Sequence, residues 1–328
     1  MKAIKFWIPI FFILMNKVFA QKRIESTADS LKINSKDTSW KVSGFFGVNA
    51  SQTALSNWQG GGQNNIALNL IFNINSVFKK NKITWTNKLD LQGGLIRQGD
   101  EKLYKKNIDQ IFALSKLNLD AFHKNWCYSL QGDFRSQFAP GYNYAGDYVV
   151  GRAVSDFCSP AYIQLALGLD YKPVPYFSVM VAPIAGKLTI VQRQYLADAG
   201  AFGVDKAMLD DNGNVLTSAK KTRYELGGRV VIKFYKDIAN WIHLDSYLDL
   251  FSSYVHKPQN VDIVFNNLLT FKISKYFTAN FICQMVYDDD IIIKRDWNND
   301  GNFDNSKDIN GPRLQVISTI AIGFGYKF

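Results

Sequence analysis

Asn65-Ile-Ala-Leu-Asn-Leu-Ile-Phe-Asn-Ile-Asn75 separates into two faces at a period of two. Asn65, Ala67, Asn69, Asn73 and Asn75 fall on one face, and Ile66, Leu68, Leu70, Phe72 and Ile74 on the other. Side chains alternate sides along an extended strand, whereas a helix of 3.6 residues per turn would mix the two sets. The pattern recurs along the chain. Trp126, Tyr128, Leu130, Gly132, Phe134 and Phe138 alternate with Ser129, Gln131, Asp133, Arg135 and Gln137. Tyr224, Leu226, Val230, Ile232 and Phe234 alternate with Arg223, Glu225, Arg229 and Lys233.

A soluble sandwich also alternates, so three further features decide the class. The periodic segments run to roughly a dozen residues, where globular strands have about five or six and a membrane crossing needs about 9–11. Connections alternate between short and long. Short ones fall at Lys79–Lys82, His123–Asn125, Lys172–Pro175, Lys236–Asn240 and Ser274–Tyr276. Long ones fall at Ser51–Gly62, Arg97–Lys106, Ala139–Ser159, Ile184–Lys221, Ser252–Asn260 and Asp289–Pro312. Strand ends carry aromatics, among them Trp40, Trp85, Trp126, Tyr171, Tyr176, Trp241 and Tyr276. Most border the short turns, as an interfacial girdle requires. The expected fold is all-β: a single transmembrane, antiparallel, up-and-down β-barrel over residues 39–328, with both termini periplasmic. About twelve strands are expected, an even number as single-chain bacterial barrels require. They start near Trp40, Asn65, Ile83, Asn107, Trp126, Ala161, Phe177, Thr222, Trp241, Val261, Phe277 and Arg313. The fourth strand changes phase near Lys116, which suggests a bulge there. Pro183 is expected to end the seventh, where its missing N–H is tolerated.

Residues 1–20 read as a signal peptide: Lys2 and Lys5, an apolar run from Phe6 to Leu14, then small residues at Val18 and Ala20. The run is too short for a spanning helix, which needs roughly 20 apolar residues. No Cys follows the cleavage site, which argues against a lipid anchor. Residues 21–38 are polar without periodicity and read as a periplasmic leader. The expected location is the outer membrane of a Gram-negative cell. The formal charge of +10 raises nucleic acid as a partner. It is rejected, because the basic residues are scattered over turns and alternate positions with no basic helix; anionic lipid headgroups of the outer membrane are the expected partners. Cys127, Cys158 and Cys283 have no evident partners, so no disulfide is expected.

Several segments resemble an uncharacterised family of Gram-negative outer-membrane barrels, domain of unknown function 3078. They are Leu55-Ser-Asn57-Trp58-Gln-Gly60-Gly61-Gly62, Gln137-Phe138 with Gly141-Tyr142, Ser159-Pro160-Ala161-Tyr162, Ala182-Pro183 with Gly186-Lys187, Ala199-Gly200-Ala201-Phe202-Gly203-Val204, and Gly311-Pro312-Arg313-Leu314-Gln315 onward to Phe328. The resemblance implies a barrel and its location, and brings no activity with it. The last strand carries Leu314, Val316, Ile320, Ile322, Phe324, Tyr326 and Phe328 on one face. Gly323-x-x-Tyr326-x-Phe328 resembles the C-terminal signal read by the outer-membrane assembly machinery, an expected partner, with Ala321 as a departure from its polar preference.

Catalysis is not expected. Of the three histidines, His123 lies in a short turn and His256 in a loop. His243 shares the lumen face with Asp245 and Asp249, while Ser246, the nearest serine in sequence, points the other way. The lumen face carries Lys41, Lys88, Arg135, Arg223, Arg229, Lys233, Lys272, Arg313 and Lys327 against Asp90, Asp133, Glu225, Asp245, Asp249, Asp262 and Asp288. Near-balanced signs argue for an ion-pair network over a selective ring of one sign. The expectation is a small channel or ligand-binding barrel. The alternative is a non-conducting accessory barrel whose loops bind a protein partner. The Ile184–Lys221 loop, with Gly200 to Gly203 as a flexible element, is a candidate plug. Asn57–Gly62 lacks the Gly-Lys-Ser/Thr ending of a phosphate loop, and reads as a bend at the rim.

Asp296, Asn298, Asp300 and Asp304, with Gly301 for the bend, match the first half of a calcium-binding EF-hand loop. Position twelve is Lys307 in place of the bidentate Glu, so the expected Ca²⁺ affinity is weak, about 10⁻⁴–10⁻³ M. An ordinary turn rich in Asx residues is the competing account.

Overall fold

The computed structural model describes residues 40–53, 64–255, 257–274, 276–295 and 309–327. Residues 1–39 (which hold the expected signal peptide and leader), the Asn57–Gly62 segment, His256, the Asp296–Asp304 motif and Phe328 lie outside the described residues.

Twelve strands close into one antiparallel ring in chain order. They are β1 (Trp40–Thr53), β2 (Asn65–Lys80), β3 (Ile83–Gln98), β4 (Lys105–Asp120), β5 (Trp126–Ser136), β6 (Ala161–Val174), β7 (Phe177–Ile190), β8 (Thr222–Ala239), β9 (Ile242–Ser253), β10 (Asp262–Lys272), β11 (Phe277–Tyr287) and β12 (Gln315–Lys327). β1 closes on β12 with Phe45 opposite Lys327 and Asn49 opposite Gly323. The up-and-down order follows from the short turns, which pair each strand with its successor. Asn81 and Asn125 stand in two of them at φ 50° and 72°, a region Asn tolerates better than most residues. Smaller hairpins at Gly141–Ala145 with Tyr148–Ser155 and at Met208–Leu209 with Val215–Thr217 stand on the long-loop side. No helix among the described residues is long and apolar enough to cross a membrane.

The alternation sorts side chains opposite to a soluble protein. Leu165 is 57% exposed on the outer face, while Gln131, one strand away, is 0% exposed on the inner face. Ile66, Leu68 and Leu70 face out; Ala67 and Asn69 between them are buried inside. At the short-turn end the outer face carries a belt of aromatic contacts. Trp40 meets Phe78 and Trp85, each at 5.3 Å between ring centroids, and Trp126 meets Tyr171 at 4.7 Å. Tyr176 meets Phe234 at 5.9 Å, Trp241 meets Phe271 at 6.0 Å and Phe277 meets Phe324 at 6.2 Å. Trp85 donates its Nε1–H to the outward-facing Ser115 hydroxyl at 2.9 Å, which satisfies two polar groups on an apolar surface.

Two local expectations are corrected. The β3–β4 register runs unbroken past Lys116, which pairs with Thr86; the irregularity is at Asn107, squeezed between the pairs Gly94–Ile108 and Leu95–Lys106. The apparent phase change near Lys116 arises because Phe112 and Leu114 are apolar residues on the inner face, in line with Lys116 and Asn118. Pro183 does not end β7. It sits inside a bulge, since Leu167 pairs with Ile184 and Leu169 with Val181 on one side, and Gly227 pairs with Ala185 and Arg229 with Ala182 on the other. The bulge spares the missing N–H a ladder role, and Tyr254 donates its hydroxyl to the Pro183 carbonyl at 2.8 Å. Gly168 lies opposite, where a Cβ would run into the Val181 carbonyl.

Candidate functional site

The inner face is where alternation places most charge, and the structure gathers it into three clusters. The first lies at mid-height. Alanines at 166, 182 and 185 and Gly227 leave space on the inner face of β6, β7 and β8. Met180, Val231 and Phe251 fill part of it, with Tyr247 packed alongside. Arg229, 2% exposed, lies over this apolar patch. Its Nε and Nη2 donate to the two Asp249 carboxylate oxygens at 2.8 Å each, and Nη2 reaches Asp133 Oδ1 at 2.7 Å. Arg135 Nη2 crosses from β5 to Asp249 Oδ2 at 2.7 Å. The Tyr247 hydroxyl donates to the same oxygen at 3.2 Å. Phe112 on β4 and Tyr247 on β9 meet edge-on at 6.5 Å although their strands stand almost opposite in the ring. Side chains therefore bridge this part of the lumen from wall to wall.

A second cluster sits nearer the long loops. Lys187 Nζ reaches Asp262 Oδ2 at 2.6 Å, Asp288 Oδ2 at 3.1 Å and Glu225 Oε2 at 3.8 Å. Arg223 joins Glu225 at 3.1 Å and Asp290 at 2.6 Å, and donates through Nη1 to the Gly203 carbonyl at 2.6 Å. That last bond ties the β7–β8 loop to the barrel mouth.

The third cluster lies toward the short turns. Lys88 pairs with Asp90 at 2.8 Å, and Asp170 is shared by Lys116 at 2.8 Å and Lys172 at 3.2 Å. Lys233 projects over the Tyr247 ring, 5.5 Å from its centroid.

The long β7–β8 connection starts at Val191, later than the expected Ile184. It is an ordered cap with a core of its own: Val191, Leu196, Ala197, Val204 and Ala219 are buried together. Gly203, at φ 84° where L side chains are strained, packs closely against Asp290 and Arg223. The cap is sewn to the β5–β6 connection. Tyr195 donates its hydroxyl to the Ala153 carbonyl at 2.7 Å, Arg193 N–H donates to Ser159 Oγ at 2.9 Å, and Arg193 Nε donates to Asp156 Oδ2 at 2.6 Å. Burial pushes the Asp156 carboxyl up, but the Arg193 and Phe157 hydrogen bonds and nearby positive charge outweigh it and hold its pKa below the ordinary 3.8.

Of the expected site residues, Arg135, Arg229, Asp133 and Asp249 come together, as do Glu225, Asp262 and Asp288. His243 does not join Asp245 or Asp249: its Nδ1 lies 2.9 Å from Asp237 Oδ1 on the neighbouring strand. Ser246 pairs with Phe234 on the outward face. The aromatic contributors Phe112, Tyr247 and Phe251 were not anticipated, although Tyr247 and Phe251 share the parity of Asp245 and Asp249. The thiols of Cys127, Cys158 and Cys283 are free, with Cys283 on the outward face opposite Asn267.

Residues 50–142 match the model of a family described as "Protein of unknown function (DUF3078)". Over that stretch the resemblance read from the sequence is borne out. No curated protein matches the chain in sequence. Among solved structures, the chain is similar to the translocator domain of autotransporter NalP from Neisseria meningitidis, at 11% identity over 92% of each chain with a TM-score of 0.34. It is also similar to an outer membrane channel from Pseudomonas putida F1, at 9% identity over 88% of this chain and 94% of that one with a TM-score of 0.36.

Proposed function

We propose that this barrel sits in the outer membrane of a Gram-negative cell and passes small hydrophilic solutes along one side of its lumen. Membrane placement is supported by the apolar outer face and by the aromatic belt at the short-turn end, where Lys236 Nζ stands 4.5 Å over the Tyr176 ring as interfacial cations do. The observation that carries the solute path is the difference between the walls. The inward positions of β10, namely Asp262, Val264, Asn266, Leu268, Thr270 and Lys272, all keep partial exposure. So do Ile71, Asn73, Thr86, Gln92, Ile282 and Gln284 on β2, β3 and β11. About half of these are neutral polar groups, which suit the polar, water-filled interior of a pore. The purified barrel in planar bilayers tests this. Small, steady unit currents are expected, and a Gln284→Trp variant should reduce them. Absence of current with or without residues 191–221 overturns the reading in favour of an accessory barrel whose loops bind a partner.

The same reading assigns no catalysis, since His243 is engaged by Asp237 and Ser246 faces outward. It keeps Ca²⁺ at Asp296, Asn298, Asp300 and Asp304 as a loop-stiffening ion, tested by calorimetry against an Asp296→Ala/Asp300→Ala variant. It also keeps recognition of β12 by the assembly machinery, tested by deleting its last residues and following membrane insertion.

A further inference from the structure

Among the described residues the ring is closed by its shortest ladder. β1 and β12 share five pairs, from Phe45–Lys327 to Asn49–Gly323, where every other ladder of the ring has ten to sixteen. The last pair is tight. Asn49 and Gly323 are buried, and a Cβ at Gly323 would run into the Asn49 side chain and the Val48 carbonyl. Both strands continue toward the long loops, β1 paired to β2 as far as Thr53 and β12 to β11 as far as Gln315. The same register would set Ala50 opposite Ile322 and Gln52 opposite Ile320, yet no ladder pair forms there. Exposure changes at the same point. Ala50, Ser51 and Gln52 are exposed on one side, and Ile322, Ile320 and Ile317 on the other, at 59%, 76% and 54%. The two strands therefore part above Asn49–Gly323 and leave a slot in the barrel wall. An open strand edge is not tolerated against lipid, but it is tolerated where it borders a water-filled cavity, so the slot communicates with the lumen.

We propose that this slot is a lateral portal for a single-chain amphiphile with a carboxylate head, of the long-chain fatty acid class. The slot itself is uncharged: neither Ala50–Thr53 nor Leu314–Ile322 contains an ionisable side chain. Its outer lip presents Val316, Ile320 and Ile322, all exposed, which suits an alkyl chain. Behind it the lumen wall carries partly exposed apolar groups at inward positions of β10 and β11, where Leu268 pairs with Ile282 and Val264 with Val286. Arg313 stands two residues before the start of β12, at the long-loop end of the slot. Its Nε is buried and has no hydrogen-bond partner among the described residues. A guanidinium fork matches a planar carboxylate through two parallel bonds, so Arg313 anchors the head group. An extended peptide added to the free edge of β12 fits less well. A strand needs about 4.7–4.9 Å to each neighbour along its whole length, and the slot narrows to a closed pair at Asn49–Gly323. An alkyl chain forms no ladder and has no such requirement.

The portal rests on the solute-path reading only in that the lumen behind β12 must have room, so the test is labelling and not current. A long-chain fatty acid with a diazirine at the end of its chain is photolysed in outer-membrane vesicles holding the full-length barrel, and the labelled residues are mapped by mass spectrometry. Saturable labelling is expected at the inward Ile317 and Ile282, displaced by oleate and not by oleyl alcohol, which keeps the chain and lacks the carboxylate. Arg313→Gln should weaken displacement by oleate at least about fivefold. A bifunctional thiol reagent joining Gln52→Cys to Ile320→Cys, with the three native cysteines replaced by Ser, should reduce labelling at Ile317 by a similar factor. Heat-modifiable gel mobility verifies that each variant is folded. Labelling confined to outward residues such as Val316 and Ile320, equal displacement by the alcohol, or undiminished labelling of the bridged protein overturns the proposal. Labelling without bilayer current would leave the portal standing and remove the hydrophilic channel; current without labelling would do the reverse.

Discussion

On β5 to β8 the inward-facing Ser129, Gln131, Ala166, Ala182, Ala185 and Arg229 are at most 2% exposed, whereas on β12 the inward-facing Ile317 is 54% exposed and its neighbours on β10 and β11 keep partial exposure. Both walls belong to one sheet with the same alternation. They differ in side-chain size and in reach from opposite strands. Alanine and glycine positions on β6 to β8 admit Arg229, Tyr247 and Phe251, and the carboxylates of Asp133 and Asp249 satisfy the arginines. On β1, β2 and β11 the inward Asn49, Ala67, Asn69, Val77 and Asn280 are buried as well, whereas every inward position of β10 keeps partial exposure. Among the described residues the wall of β5 to β8 is thus packed more tightly than the wall around β10.

The largest effect should come from Arg229→Met. Removing one partner of a buried ionic network strands the rest, here Asp133 and Asp249, at a cost of about 3–5 kcal/mol. Denaturant unfolding of the detergent-solubilised barrel measures it. Asn266→Ala on the open wall should stay within about 0.5 kcal/mol of wild type. Equal losses from the two would erase the distinction between the walls.

Overpacking sharpens it further. Ala185→Leu forces a larger side chain against Phe251 and should cost about 1–3 kcal/mol, while Thr270→Leu has space to occupy and should change unit conductance more than stability.

A smaller effect concerns the cap, where pH acts through Asp156. Its carboxyl titrates below the ordinary 3.8 in the folded state, so the Arg193 clamp contributes above that value and is lost as the pH falls through the depressed pKa. Amides of residues 191–196 should be protected from hydrogen exchange at pH 5 and lose protection progressively as the pH is taken below 3.8. Asp156→Asn should show the looser cap already at pH 5.

The ring itself was legible because period-two alternation and turn residues are local signals. Every expected strand start lies within two residues of the observed one; Asn107 against Lys105 and Arg313 against Gln315 are the widest gaps. What failed locally failed for a physical reason. Phe112 and Leu114 are apolar residues inside a lumen with an apolar patch, so polarity there no longer reported side. Pro183 was read as a stop because a bulge that absorbs its missing N–H depends on Gly168 and Gly227 in neighbouring strands. The lumen pairs were less accessible still. Parity placed Arg135 and Asp249 on the same face, but their pairing at 2.7 Å joins residues 114 positions apart, set by barrel closure and strand stagger. His243 illustrates the same limit, since its partner Asp237 is fixed by the β8–β9 register and not by the nearest carboxylates in sequence.

The two-walled lumen is tested most directly by thiol labelling in outer-membrane vesicles. In a background with Cys127, Cys158 and Cys283 replaced by Ser, single cysteines at Ser129 and Ala166 report the packed wall, and single cysteines at Asn266 and Gln284 report the open one. A small membrane-impermeant thiol reagent is expected to modify the Asn266→Cys and Gln284→Cys proteins rapidly and the Ser129→Cys and Ala166→Cys proteins only after denaturation. Equal labelling of all four, or faster labelling at Ser129→Cys and Ala166→Cys, would contradict the account.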